Sequence, residues 1–110
     1  MTFKVSFRFA IKPEWENAIR EGRKTIDVRF NAEKFSEVKI GDSIHYGSTE
    51  VRVTSIRAYP GVSDLLAHED WRKIVPEAKD HQQAFDTLVS LLRHNAPPHG
   101  ILALVVEVVK

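Results

Sequence analysis

Gly100 is followed by Ile101-Leu102-Ala103-Leu104-Val105-Val106-Glu107-Val108-Val109, a nearly unbroken apolar run. A strand with one wet face alternates polar with apolar residues. A run without that alternation predicts a strand buried on both faces and central in its sheet. The rest of the chain must therefore supply a strand on each side of it and a layer over each face. With 110 residues, it does so within one domain, 1–110, around one core. The run is too short to span a bilayer. The opening Met1-Thr2-Phe3-Lys4-Val5-Ser6-Phe7-Arg8 carries charges through its apolar positions and does not read as a signal peptide.

Further strands come from period-two patterns. Phe3, Val5, Phe7, Phe9 and Ile11 alternate with Lys4, Ser6, Arg8 and Ala10, which predicts a half-buried strand. Ile26, Val28 and Phe30 share one face of a second strand, and Thr25, Asp27 and Arg29 share the other. Ser43 to Tyr46 predicts a third, short strand, and Gly47-Ser48-Thr49 a hairpin turn into a fourth over Glu50–Tyr59. In the fourth, Val51 and Val53 have one parity and Ile56 and Ala58 the other, so a bulge is expected near Thr54-Ser55.

Helices fill the gaps. Pro13 suits a first helical position, Glu14 and Glu16 suit the positive end of the dipole, and Gly22 suits the position just past the end. Trp15, Ala18 and Ile19 give that helix its apolar face. Ser63 is expected to cap a short helix running to Glu69, with Leu65 and Leu66 inward. Asp80 and Gln83 have capping-box spacing ahead of a stripe of Ala84, Phe85, Leu88, Val89 and Leu92. The order strand, helix, three strands, helices, strand predicts an α+β fold. Its sheet is expected to be a closed or nearly closed small β-barrel with helices at its outside or ends. A doubly wound parallel sheet needs more alternation of strand and helix than this chain has.

The chemistry gathers at Gly22-Arg23-Lys24-Thr25-Ile26-Asp27-Val28-Arg29, where the first helix gives way to a strand. Lys24 can hold a phosphate as a point charge or act as a base if burial lowers its pKa; the plainer reading is a solvated surface lysine. On the surface reading, its replacement by Met costs no more than about 1 kcal/mol. Arg29 can grip a phosphate or base edge, or simply pair with Asp27. Tyr46 and Tyr59 can stack a base or pack the barrel. If a groove holds RNA, Lys24 and Arg29 are the cations expected to set the salt dependence.

Other chemistry is missing. No cysteine is present, which removes disulfides and thiolate zinc and fits a reducing cytoplasm. His45, His68, His81, His94 and His99 show no metal-ligand spacing. No glycine-rich phosphate loop and no nucleophile elbow occur, so no metal and no cofactor are expected. The net charge of +1 gives no global pull on a polyanion, and any such site has to be local.

Gly22-x-Lys24-Thr25-x-Asp27-x-Arg29, then Val38-x-Ile40-Gly41-Asp42-x-Ile44 and a long strand ending in Tyr59, resembles the ASCH domain. Glu69, Ile74-Val75-Pro76 and Gly100-Ile101-Leu102-Ala103-Leu104 fit the family's more divergent half. The resemblance implies a PUA-like barrel with a cleft beside the lysine-bearing loop, and RNA or a modified nucleoside as ligand. Lys24, Asp27, Arg29 and Tyr59 would then bind it. One bacterial branch removes the acetyl group from N4-acetylcytidine with a lysine, a threonine three residues later and a glutamate from the helical region. Here Lys24 matches the lysine and Asp27 replaces the threonine. Glu69 is the glutamate match, with Asp64 and Asp70 as alternatives. An amidohydrolase would use Lys24 and Glu69 for proton transfer, with water or Thr25 attacking. A ribonuclease, also found in the superfamily, would use Lys24 on the phosphate.

Overall fold

The computed structural model describes residues 5–110. Five strands, β1 (Ser6–Arg8), β2 (Ile26–Phe30), β3 (Ser43–Tyr46), β4 (Thr49–Tyr59) and β5 (Ile101–Val108), form one mixed sheet in the order β1-β3-β4-β5-β2. Three α-helices join them: α1 (Pro13–Arg20), α2 (Val62–His68) and α3 (His81–Leu92). Short 3-10 turns occupy Glu33–Glu37 and Trp71–Lys73.

β5 lies between β4 and β2, antiparallel to both, which accounts for its apolar run. Its Leu102, Leu104 and Val106 face the hollow of the curled sheet, with Phe9, Ile19, Ile44, Tyr46, Val51 and Val53. Ile101 and Ala103 face outward, under Val62, Leu65, Ile74, Ala84 and Leu88. Both faces of the strand are thus covered. Helix α1 contributes to both layers, with Ile19 in the hollow and Trp15 under the helical layer. β4 changes parity where its residues require: Val53 pairs with Val106 and Ser55 with Val105, leaving Thr54 as the extra residue.

The expected α+β fold, a small barrel-like sheet with helices at its outside, is the one found; among the described residues β1 and β2 are the two edges with no ladder between them, so the curl is that of a half-barrel. Two expectations are corrected. β1 is shorter than its alternation predicts, because its partner β3 has only four residues and the parallel register covers Ser6–Arg8. Phe9 then continues inward with its N–H on His45 O (3.1 Å), and the start of the expected strand lies outside the described residues. Second, Ser63 does not cap α2. The helix begins at Val62 with Gly61 at the cap position, because the chain there lies against residues 95–96. Val62 N–H donates to Asn95 O (2.8 Å), and a Cβ on Gly61 would sit 2.4 Å from that same oxygen. Asp80 does cap α3, accepting from Gln83 N–H (2.8 Å), while the Gln83 side chain takes the N–H of Lys79 (2.6 Å).

Candidate functional site at the open seam

Helix α1 ends in a Schellman motif. Gly22 has φ of +81°, its N–H reaches Ile19 O (3.0 Å), and Arg23 N–H reaches Ala18 O (2.9 Å). This reversal sends the Lys24 side chain inward instead of into water. Lys24 is 2% exposed. Its Nζ donates to Ile26 O (2.8 Å) and Ile74 O (2.5 Å) and lies 4.4 Å from the centre of the Trp15 ring. Burial pulls its pKa down to about 8, opposed by the charges of Asp27 and Glu77. The reading of Lys24 as a solvated lysine is therefore overturned. Thr25 is half-buried and tied through its backbone, N–H to Lys73 O (3.0 Å) and C=O from Val106 N–H (2.9 Å).

Asp27 and Arg29 point into the half-barrel and hold one another there. The Arg29 Nε lies 3.0 Å from each Asp27 carboxylate oxygen, and the Tyr46 hydroxyl donates to Asp27 Oδ2 (2.5 Å). Tyr46 is fully buried, and burial first, then Asp27, raises its pKa well above the ordinary value. The second arm of Arg29 crosses the seam to Ala10 O (2.8 Å), and its guanidinium lies over the rings of Phe9 and Phe35. A side chain thus bridges the gap that no ladder closes.

Beside that bridge is a cleft of about 230 Å³. One wall is Ala10, Ile11, Lys12 and Trp15, and the other is Asp27 to Phe30, with Phe35, Leu91 and Leu92 completing the rim. Lys24 and Thr25 do not line it. They border a different, more open groove of about 680 Å³, with Arg20, Arg52 and Glu107.

Glu69 and Tyr59 lie elsewhere. The Glu69 carboxylate accepts from Arg57 Nε (2.5 Å) and Nη2 (2.8 Å) and from the Tyr59 hydroxyl. The Arg57 bonds hold its pKa below the usual carboxylate value. Tyr59 stacks on His68 with ring centres 5.7 Å apart. Glu69 and Lys24 share no hydrogen bond or ion pair: the carboxylate is taken by Arg57 and Tyr59 and the ammonium by Ile26 O and Ile74 O. Of the alternatives, Asp70 caps the Trp71–Lys73 turn through Arg72 N–H, and Asp64 is exposed on α2. Trp15 and Phe35 also line the cleft; the sequence places Trp15 on the apolar face of α1 and assigns Phe35 no role. Their only signal is an aromatic close to a lysine, at Lys12–Trp15 and Lys34–Phe35. Among the described residues no three His, Asp or Glu gather as metal ligands, and no helix is long and apolar enough to cross a membrane.

A curled five-strand half-barrel with three helices and a side-chain-bridged seam defines a small α+β class of domain. The family model of the ASCH domain matches residues 9–110, and the chain belongs to that family. Among solved structures, the hypothetical protein PH0355 is similar, with TM-score 0.85, 24% identity, and coverage of 96% of this chain and 100% of its own. Protein PF0455 from Pyrococcus furiosus gives 0.81, 23%, and coverage of 96% and 99%. A tyrosine-to-phenylalanine mutant of ZmASCH from Zymomonas mobilis gives 0.63, 16%, and coverage of 91% and 67%. No curated protein matches the sequence.

Proposed function

We propose that the domain binds RNA or a modified nucleoside, and that it does so in the seam cleft. The observation that carries this reading is the cleft's make-up. A buried carboxylate and a half-buried guanidinium, already fixed by Tyr46 and Ala10, sit between the aromatic walls of Trp15, Phe30 and Phe35. Flat apolar walls with a few placed polar groups suit an unstacked base. Binding is favoured over deacetylation or RNA cleavage by where the candidate catalytic groups are spent. Lys24 donates to two backbone carbonyls, and Glu69 is occupied by Arg57 and Tyr59.

The test uses a Trp71→Phe protein, in which Trp15 is the remaining tryptophan and is excited selectively over Tyr46 and Tyr59. Cytidine, uridine, N4-acetylcytidine and short single-stranded RNAs are titrated while the solution is followed by mass spectrometry. Saturable quenching without mass change is expected, and Arg29→Ala should weaken it by about tenfold, the cost of roughly one charged hydrogen bond. Release of acetate from N4-acetylcytidine would replace this reading with the amidohydrolase, and shortened RNA with the ribonuclease.

A further inference from the structure

Two backbone bonds set the phase of the β2–β5 ladder. Val106 N–H donates to Thr25 O and Asn31 N–H to Gly100 O. The antiparallel register continues through Asp27↔Leu104 and Arg29↔Leu102, so these odd-numbered residues exchange ladder bonds with β5. The even-numbered residues Ile26, Val28 and Phe30 turn their N–H and C=O groups the other way, toward the seam. Lys24 supports this phase, since its Nζ satisfies the outward carbonyl of Ile26. Val28 lines the cleft, and among the described residues neither its N–H nor its C=O has a partner. Buried amide groups are ordinarily paired, so a nearly buried donor and acceptor facing a cleft are disposed to take a matching ligand edge.

We infer that Val28 reads the Watson–Crick edge of a single unpaired pyrimidine through its backbone N–H and C=O. This rests on the nucleoside-binding reading above and specifies the edge that is read. A strand residue presents a donor and an acceptor side by side. The Watson–Crick edge of uracil or cytosine presents the complementary pair at similar spacing, as one strand does to another. An entering peptide strand would need several such residues in a row. Here Lys24 occupies the Ile26 carbonyl and the Arg29–Ala10 bridge spans the seam, so the unpaired stretch is short. The volume of about 230 Å³ lies below the usual range for ligand pockets and suits one ring in place of two. A paired base has its edge engaged, so duplex RNA is refused. A free nucleoside and an unpaired base within a strand share the chemistry.

The experiment compares uridine, 5-methyluridine and N3-methyluridine, each as nucleoside and within a short single-stranded oligonucleotide, with amide NMR of ¹⁵N-labelled protein. Uridine and 5-methyluridine should bind, shift the Val28 amide downfield and slow its hydrogen exchange. N3-methyluridine, which has lost the edge donor, should bind at least tenfold more weakly and leave that amide unmoved. The stronger arm, nucleoside or oligonucleotide, names the source. Equal binding of N3-methyluridine, or binding that leaves Val28 unmoved, overturns the inference while nucleoside binding stands. No binding by any nucleoside or oligonucleotide overturns both. A Val28 shift produced only by an extended peptide makes the seam a strand acceptor and likewise overturns it.

Discussion

Lys24 stands out in the sequence as a cation at the helix–strand junction, and the structure buries it where a local reading leaves it in water. From sequence it stands two residues past a glycine, where a side chain in water is the ordinary outcome. Its burial depends on Ile74, fifty positions away, whose carbonyl meets the ammonium at 2.5 Å. No local pattern contains that contact. Lys24→Met therefore has two opposed effects at neutral pH. It strips the donor from two buried carbonyls, at about 1–3 kcal/mol each. It also relieves the burial of a charge, and a pKa drawn from 10.5 to about 8 is a penalty of similar size, at about 1.4 kcal/mol per unit. The two nearly cancel at pH 7, so a small loss is expected there, for a different reason than on the surface reading. They do not cancel at higher pH. Because the folded pKa lies below the unfolded one, the unfolded chain holds more protons between about pH 8 and 10.5. Wild-type stability should gain from this group across that window, by at most about 1.4 kcal/mol per pH unit. Urea unfolding of both proteins at pH 7, 8.5 and 10 should show the Met variant falling progressively behind. Tyrosine titration is common to both and drops out of the difference. A gap that stays constant with pH would show that Lys24 is not buried in its charged form.

Where side chains alone decide an element, the sequence was readable. The β4 bulge followed from Val51 and Val53 against Ile56, and the covered position of β5 from its missing alternation. What could not be read was which strands meet. Alternation says that a strand has a wet face and says nothing of its edges, so a closed barrel and a half-barrel predict the same residues. The seam, and with it the cleft, stayed out of view for that reason. Asp27 and Arg29 were legible as a pair, but Tyr46 beneath them was not, since a tyrosine in a short strand has no signature of its hydroxyl's partner. The junction of α1 and β2 allows a direct comparison of two devices at helix ends. Gly22→Ala meets no atom within 4 Å, so its cost is the left-handed backbone alone, about 1–2 kcal/mol. Asp80→Ala removes the cap on α3 and should cost about 1 kcal/mol. Denaturant midpoints should show similar losses. Only Gly22→Ala should also disturb the Trp15 fluorescence, because Gly22 delivers Lys24 to that ring. An unchanged Trp15 signal would mean that the junction does not depend on the Schellman turn.

At the scale of the whole molecule, sixteen lysines and arginines stand against fifteen acids, and the net charge of +1 provides almost no long-range attraction for RNA. Affinity would then come from the seam cleft and from whatever cations border it. Lys24 and Arg29 were the expected phosphate contacts, but Lys24 is bound to Ile26 and Ile74, and Arg29 to Asp27 and Ala10. Two exposed lysines remain at the rim. Lys12 borders the cleft with its Nζ over Trp15, and Lys34 has its Nζ over Phe9 and Phe35. Each neutralised phosphate on a single strand contributes a log–log salt slope of about −0.7, so two give no more than about −1.4. Titration of a pyrimidine-rich oligonucleotide at several salt concentrations should find a slope in that shallow range. Lys12→Ala with Lys34→Ala should flatten it toward zero and leave the preference for uridine over N3-methyluridine intact, since neither lysine meets the base edge. A steep slope, about −3 or beyond, would require four or more phosphates. The seam cannot supply that many cations, and the RNA would have to follow another face, such as the open groove that carries Arg20 and Arg52.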